Sequence, residues 1–530
     1  MRAWIQDALR WMIGMGLCGF GQMRRRSIRR RIVDYRKNQR ALVDQYCLSE
    51  TDPILPHGPE LQAAIDDFAR ACAEPVRFAE TSGSTGVPKR IAYTRTRVKA
   101  VVGAYIDAFA RAYAAIPVKR KSLYVMSSLK VDSSLTALMI DDRAVLPPYF
   151  SGLQAPYRLQ SDPALQALAK GYGANALRTW VLAIANPGVI YCTNPSTLST
   201  YLDALKDDWP ACTALIRAWV KNPAQFSPQV RKIARRLSSR GDASRLSTLS
   251  SAKSPMGLHA IAPAVELLSC WDGGYVQPFL NRVRVHLPAS RVRHLPMYSM
   301  STEVIETLPV FEGESPAFLP LAKGVRYEFL PIDCPDEPGF LKEAWALEPG
   351  EEVLMVVSDA YGLRRYQTED VFRCEDQVLG LPDLRFVQRR GLAWSFTGEK
   401  ITGAQLEQVF AELKAESPAL AALDWIALAP SQAQGASLPG YVLLLVGAED
   451  RPPTGLGLRF DAALGRLNGE FADKCASGRL AATRALGLSV PEYVGRVGGQ
   501  RHKDSWEAQF KFLPLVCKMW EDCSGKTDSP

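Results

Sequence analysis

The sequence has 11 cysteines but no Cys-x-x-Cys pair. None of its five histidines stands at zinc-ligand spacing from a cysteine, so neither a metal cage nor a disulfide framework is indicated. Scattered from Cys18 to Cys523, the thiols fit a reducing compartment, most of them as small buried apolar groups. The apolar stretch Trp11 to Phe20 is too short and too rich in glycine (Gly14, Gly16, Gly19) to span a membrane, which takes roughly 20 residues. Its positive charges follow the stretch instead of preceding it, which argues against an export signal. A Walker A loop, Gly-x-x-x-x-Gly-Lys-Ser/Thr, is also missing. Net charge is small for this length: 64 basic against 55 acidic residues leave +9, a mild excess and not the footprint of a nucleic-acid binder.

The chain has 530 residues, enough for three or four units of core-forming size, and 47% of them are hydrophobic and 22% charged. These values fit a cytoplasmic enzyme. Arg24, Arg25, Arg26, Arg29, Arg30 and Arg31 form a basic run after the N-terminal apolar stretch. Two readings stand: a docked N-terminal helix followed by a solvated basic helix, or a weak peripheral contact with a membrane surface. Helices are expected from Ile28 to Asp67. Beyond them, alanine-rich helical stretches (Val98 to Ala115, Asp162 to Leu182) alternate with short apolar runs (Ser122 to Met126, Gly188 to Cys192), an α/β pattern. A strand-rich block covers Gly324 to Gln388. Gln405 to Glu416 reads as a helix, Tyr441 to Val446 as a strand and Gly457 to Ala476 as one long helix, together a small α+β domain.

Thr81-Ser82-Gly83-Ser84-Thr85-Gly86-Val87-Pro88-Lys89 follows the strand Arg77 to Ala79. Gly83 and Gly86 let the backbone turn close to a ligand, the hydroxyls of Ser82, Ser84 and Thr85 donate to phosphate oxygens, and Lys89 adds positive charge. The bland alternative is a flexible linker, which has no need of a Pro-Lys ending after a strand. Downstream, Gly362 to Asp370 (Gly-Leu-Arg-Arg-Tyr-Gln-Thr-Glu-Asp) ends a strand, and taken alone its Tyr-x-Thr-x-Asp reads as no more than a strand end. Between them lies Met297-Tyr298-Ser299-Met300-Ser301-Thr302-Glu303. Taken alone, its glutamate reads as a surface residue in a Ser/Thr-rich turn.

The first of these segments resembles the phosphate loop of the adenylate-forming superfamily. The second resembles the Gly-Leu-Tyr-Arg-Tyr-Arg-x-Gly-Asp signature of the auxin-responsive, or Gretchen Hagen, family of acyl acid amido synthetases. Asn194-Pro195-Ser196, Trp271-Asp272-Gly273-Gly274, Tyr327-Glu328-Phe329 and Arg385-Phe386-Val387-Gln388-Arg389-Arg390 extend the likeness over most of the chain. Two departures stand out. Glu369 occupies a position where the family has glycine, and Tyr298 lies five residues before Glu303 where the family has four.

The resemblance implies an α/β fold with a large N-terminal adenylate-forming domain, residues 1–390. A smaller mobile α+β lid, residues 391–530, follows a hinge near 389–391. It implies ATP and Mg²⁺ as cofactors, with Ser82, Gly83, Ser84, Thr85, Gly86 and Lys89 on the phosphates. Tyr298, Thr302, Asp370 and Arg389 would meet adenine and ribose, and Glu303 the metal. Lys400 of Gly398-Glu399-Lys400 would meet the AMP phosphate; Lys511 is a second candidate that reads equally as a solvated C-terminal lysine. The substrates implied are a carboxylic acid and an amine, usually an amino acid. Two other readings remain open: capture of the same adenylate by a thiol of coenzyme A or a carrier protein, and a catalytically silent nucleotide-binding protein.

Overall fold

The computed structural model describes residues 2–56, 58–80, 90–116, 118–120, 122–126, 162–272, 276–297, 299–312, 315–390, 393–394, 396, 399, 401–431, 438–448, 452–476, 480–497, 512–517 and 519–520. They divide into two compact units. One comprises Met1–Gly273 and Leu280–Val387, the other Gly274–Phe279 and Gln388–Pro530.

In the first unit, α1 (Arg2–Val33) and α2 (Tyr35–Gln45) lead into α3 (Pro59–Ala71), the hairpin β1 (Arg77–Glu80) and β2 (Arg90–Tyr93), and α4 (Arg95–Ala115). Only one helix precedes α2: the apolar stretch and the arginine run form a single element. The run is not simply solvated, because it lies along other parts of the unit. Arg24 pairs with Asp107, Arg25 donates to the Phe311 carbonyl at 2.7 Å and Arg29 pairs with Glu312. α1 can approach α4 because residue 21 is glycine. A Cβ there would sit 1.9 Å from the Ala110 carbonyl oxygen, whereas one at Gly19 would meet nothing within 4 Å. Gly21→Ala is therefore expected to destabilise by about 1–3 kcal/mol through overpacking. Gly19→Ala should stabilise by up to about 1 kcal/mol through helix propensity, both read from thermal denaturation.

Four short strands, β3 (Leu123–Val125), β4 (Val189–Tyr191), β5 (Leu267–Cys270) and β6 (Arg293–Pro296), form a parallel sheet in that order. The two central strands β4 and β5 are wholly buried and near-continuously apolar, as parallel strands covered on both faces require, whereas the edge strand β6, Arg-His-Leu-Pro, is largely half-buried. Trp180, Tyr201, Trp209 and Leu280 pack on one side of this sheet. The stretch expected as one helix from Asp162 to Leu182 is two, Pro163–Tyr172 and Ala174–Ala185. Gly173 breaks it at φ 96°, a left-handed conformation that glycine takes without a Cβ clash.

The hairpin β7 (Leu308–Phe311) and β8 (Pro316–Leu319) leads to β9 (Val325–Pro331), β10 (Glu352–Asp359), β11 (Tyr366–Val378) and β12 (Leu381–Arg389), an antiparallel meander in the order β12-β11-β10-β9. Tyr327, Phe329, Met355, Tyr366 and Phe372 share one core with Tyr93 and Val98, so this sheet and the β1–β2 hairpin are built on the same apolar interior.

In the second unit, β13 (Ala393–Trp394) pairs with β14 (Ile401–Thr402), and β15 (Trp425–Ser431), β16 (Gly440–Val446) and β17 (Arg484–Leu488) form a mixed sheet. Helix Gly403–Glu416 begins with a capping box between Thr402 and Gln405. The single helix expected from Gly457 to Ala476 is again two, Leu456–Leu467 and Gly469–Ala476. Asn468 interrupts it, and its side chain instead accepts from the Phe471 N–H at 2.9 Å and donates to the Glu399 carbonyl at 2.7 Å. No described helix is long and apolar enough to cross a membrane.

Candidate active site

Three segments far apart in sequence meet in the first unit. The first is the exit strand of the hydroxyl-rich loop: β1 and β2 pair from Arg77↔Tyr93 to Glu80↔Arg90, so residues 81–89 join the two ends of one hairpin. The second is a tight turn at 299–307, closed by an antiparallel bridge between Met300 and Ile305. Within it the Glu306 and Thr307 N–H groups donate to the Ser299 carbonyl at 3.2 Å each. The third is the turn from β10 into β11, residues 359–370.

Tyr93 and Arg97 join the first two. The Tyr93 hydroxyl donates to the Thr302 carbonyl at 2.8 Å. Arg97, in the first turn of α4, sits between the rings of Tyr93 and Tyr361 at 4.8 and 4.9 Å from their centroids. Its guanidinium donates to the Ala92 carbonyl at 2.8 Å, to the Glu303 carbonyl, and to Asp359 Oδ2 at 3.0 Å. A planar fork of donors is the group that can serve three acceptors in three directions. Asp359 is buried, which pushes its carboxyl up, while Arg97 and the Tyr361 and Leu363 N–H groups pull it back. Tyr366, fully buried at the start of β11, closes the set by donating to Glu303 Oε1 at 3.3 Å.

Asp370 owes its position to a bulge. Two steps along β10, Leu354 to Val356, are matched by four along β11, Val371 to Gln367. The extra residues are held by Thr368, whose hydroxyl donates to the Met355 carbonyl at 3.1 Å and accepts from the Asp370 N–H at 3.3 Å. Such bulges re-aim side chains beside active sites. Glu369 has φ 64°, the left-handed conformation that the family's glycine would adopt freely, so the departure leaves the turn intact at the cost of strain. Glu369→Gly is expected to stabilise the protein by about 1 kcal/mol in chemical denaturation without lowering activity.

The ring of carboxyl groups includes one more member. Glu306, 2% exposed, accepts from the Ser299 hydroxyl. Burial first, and then the charge of Asp370, hold its carboxyl well above the usual carboxylate range.

Of the residues singled out from sequence, Thr302, Glu303 and Asp370 come together here. Arg389 ends β12, and only its backbone is described. Ser82, Gly83, Ser84, Thr85, Gly86, Lys89, Tyr298, Lys400 and Lys511 lie outside the described residues. The residue before Lys400 is firmly anchored. Glu399, 1% exposed, accepts from the Tyr441 hydroxyl and, at 2.7 Å, from the Phe396 N–H. Arg97, Asp359, Tyr366 and Glu306 were not assigned roles from sequence. Tyr366 lies inside the Gly362 to Asp370 motif, so its place was marked there, whereas Arg97 and Glu306 carry no local signal.

A model of the GH3 family N-terminal domain matches residues 72–292 and one of the GH3 family central domain matches residues 318–389, together more than half of the chain. No curated protein matches by sequence. Among solved structures, the AtGH3.15 acyl acid amido synthetase in complex with 2,4-DB is similar with a TM-score of 0.69 and 13% identity over 92% of each chain. A second structure of a GH3.15 acyl acid amido synthetase gives 0.66 and 13% over 92% of this chain and 91% of the other. For a 2-hydroxyisobutyryl-CoA ligase in the postadenylation state the score is 0.40, with 12% identity over 83% of this chain and 76% of the other. At these identities the solved structures speak for the fold, and the family models for descent. The chain belongs to the GH3 family, the auxin-responsive group its motifs resemble, and is by that family an adenylate-forming ligase.

Proposed function

We propose that the chain is an ATP-dependent acyl acid amido synthetase that adenylates a carboxylic acid and passes the acyl group to an amine, an amino acid by family resemblance. The observation that carries this reading is the joining of β2, the 299–307 turn and the start of β11 through Tyr93, Arg97 and Tyr366, which sets Glu303 and Asp370 in one neighbourhood.

In the first half-reaction a carboxylate oxygen of the acid attacks the α-phosphorus of ATP, and the bond from that phosphorus to the bridging oxygen breaks as pyrophosphate leaves. Asp370 accepts the two ribose hydroxyls, while Tyr298, Thr302 and Arg389 bound the adenosine. The hydroxyls of Ser82, Ser84 and Thr85, the backbone at Gly83 and Gly86, and Lys89 hold the departing phosphates. Glu303, a buried carboxylate whose Oε1 accepts from the Tyr366 hydroxyl, is the kind of oxygen ligand that suits a hard cation taking one or two carboxylates together with phosphate and water; no cluster of three or more His, Cys, Asp or Glu side chains able to hold a metal lies among the described residues. Glu303 would hold that ion, which supplies charge neutralisation for the phosphates when bound.

In the second half-reaction an unprotonated amine attacks the acyl carbonyl, the C–N bond forms, the acyl C–O bond to the phosphate breaks with its electrons leaving on AMP, and the nitrogen releases one proton to solvent. The smaller unit acts here as a mobile lid that changes orientation between the two steps. Lys400 balances charge on the α-phosphate, and Lys511 is a second basic group of that unit. Lys400→Ala is expected to lower kcat by about 10²- to 10³-fold with ATP binding nearly unchanged, measured by turnover and equilibrium binding.

The amide is favoured over a thioester by the family. Incubation of the enzyme with ATP, a panel of carboxylic acids, and either amino acids or coenzyme A, with products identified by mass, tests this. Amides should accumulate with amino acids; a thioester with no amide would end the amido synthetase reading. Absence of acid-dependent pyrophosphate release across the panel would favour a silent nucleotide-binding protein. The scattered thiols without a disulfide framework lead us to place this reaction in the cytoplasm.

A further inference from the structure

We propose that the outward face of α1 is a docking surface for an anionic lipid bilayer: Trp11, Met12, Met15 and Met23 enter the headgroup boundary, and Arg26 and Arg30 pair with lipid phosphates. The inference stands apart from the reaction proposed above.

Of the 12 large apolar side chains exposed among the described residues, five lie on this one helix: Trp11, Met12, Met15, Met23 and Val33. The others are scattered and need no explanation, whereas a contiguous patch marks an interaction site. At 3.6 residues per turn, Trp11, Met12, Met15, Met23, Arg26 and Arg30 fall within roughly 120° of the helix circumference, along about 28 Å of its axis. The same face is open at Gly16 and Gly19, where a Cβ would meet nothing within 4 Å. The opposite side is occupied. Gly21 sits against the Ala110 carbonyl, Ile28 and Ile32 belong to the core, Arg24 pairs with Asp107 and Arg25 donates to the Phe311 carbonyl. The helix is therefore fixed with Trp11 and the methionines, 48–59% exposed, facing outward.

Charge selects the occupant. From Trp11 to Val33 the helix carries six arginines and no acidic residue. Arg24, Arg25 and Arg29 find partners on the protein, whereas Arg26 and Arg30 are exposed and make no ion pair among the described residues. A second copy is a poor occupant, because an isologous contact sets this face against itself and offers no carboxylate to Arg26 and Arg30. The partner has to supply negative charge and an apolar medium side by side. The boundary of an anionic bilayer does so: the indole and thioether groups enter the acyl edge while the guanidinium groups stay at the phosphates. No described helix is long and apolar enough to cross, so the contact is peripheral.

The test is flotation of the full-length enzyme with vesicles of phosphatidylcholine alone or of phosphatidylcholine with an equal part of phosphatidylglycerol. The enzyme should rise with the charged vesicles, stay behind with the neutral ones and be released by high salt. Arg26→Gln with Arg30→Gln should weaken partition by about 30-fold, since each arginine beside an anionic surface contributes roughly fivefold. Trp11→Ser with Met15→Ser should weaken it by about tenfold or more. Both pairs replace exposed side chains away from the catalytic residues, so thermal stability and acid-dependent pyrophosphate release should match wild type, which separates a lost surface from a lost fold. Failure to bind the charged vesicles, equal binding to the neutral ones, or binding that both double variants retain overturns the proposal. A concentration-dependent dimer in analytical ultracentrifugation that Trp11→Ser with Met15→Ser dissolves would assign the face to a second copy and overturn it as well.

Discussion

Replacing Asp370 by alanine should lower kcat/KM for ATP in acid-dependent pyrophosphate release by about 10²- to 10⁴-fold, most of it through KM. A hydrogen bond from a ribose hydroxyl to a carboxylate is charge-assisted and worth about 1.5–3 kcal/mol, and the substitution removes two. The effect should be local. The bulge that presents Asp370 is held by the Thr368 hydroxyl through the Met355 carbonyl and the Asp370 N–H, neither of which the substitution touches. Thermal stability should therefore change little, and Asp370→Asn, of the same shape but without the charge, should lie between. An unaltered KM for ATP in the alanine variant would remove Asp370 from the nucleotide site.

The largest expected effect on stability belongs to Arg97. Its guanidinium is 5% exposed and Asp359 is 4% exposed, and the same group serves the Ala92 and Glu303 carbonyls. Arg97→Leu strips the compensation from a buried carboxylate and from two carbonyls, for an expected loss of about 3–5 kcal/mol in chemical denaturation. The double variant Arg97→Leu with Asp359→Asn should recover part of that loss, because it removes the stranded charge as well. Equal losses in the single and double variants would show that the ion pair is not the source. Activity should fall with Arg97→Leu even where the protein remains folded, because Arg97 is what ties the carbonyl of Glu303 to the end of β2.

How far the sequence foretold this arrangement depends on the range of the forces involved. The strand β1 and the β9–β12 block were legible, because period-two apolar patterns bounded by turn residues are local signals, whereas β2, the partner of β1 beyond the hydroxyl-rich segment, was not. Local composition also suggested continuous helices over Asp162 to Leu182 and Gly457 to Ala476. There the deciding residues are single: Gly173, free to adopt φ 96°, and Asn468, whose side chain prefers the Phe471 N–H and the Glu399 carbonyl to a helix interior. The arginine run suggested a solvated face, yet Arg24, Arg25 and Arg29 find partners 83 or more residues away that no local pattern reveals. At the site, Glu303 and Asp370 were readable because they close short motifs. Arg97 could not be read as the tie from Glu303 to β2 and Asp359, since an arginine in the first turn of a helix is commonplace until its tertiary acceptors are known. Glu369 shows the reverse case: the sequence raised doubt about the turn, and the backbone took the left-handed conformation with glutamate in place of glycine.

Exchange of labelled pyrophosphate into ATP tests most directly whether the joined segments build an adenylating site. With a suitable carboxylic acid and magnesium, the enzyme should incorporate label at a rate that depends on the acid, since forming the acyl-adenylate is reversible and releases pyrophosphate. Turnover that yields ADP and orthophosphate, with no acid-dependent exchange, would contradict the account.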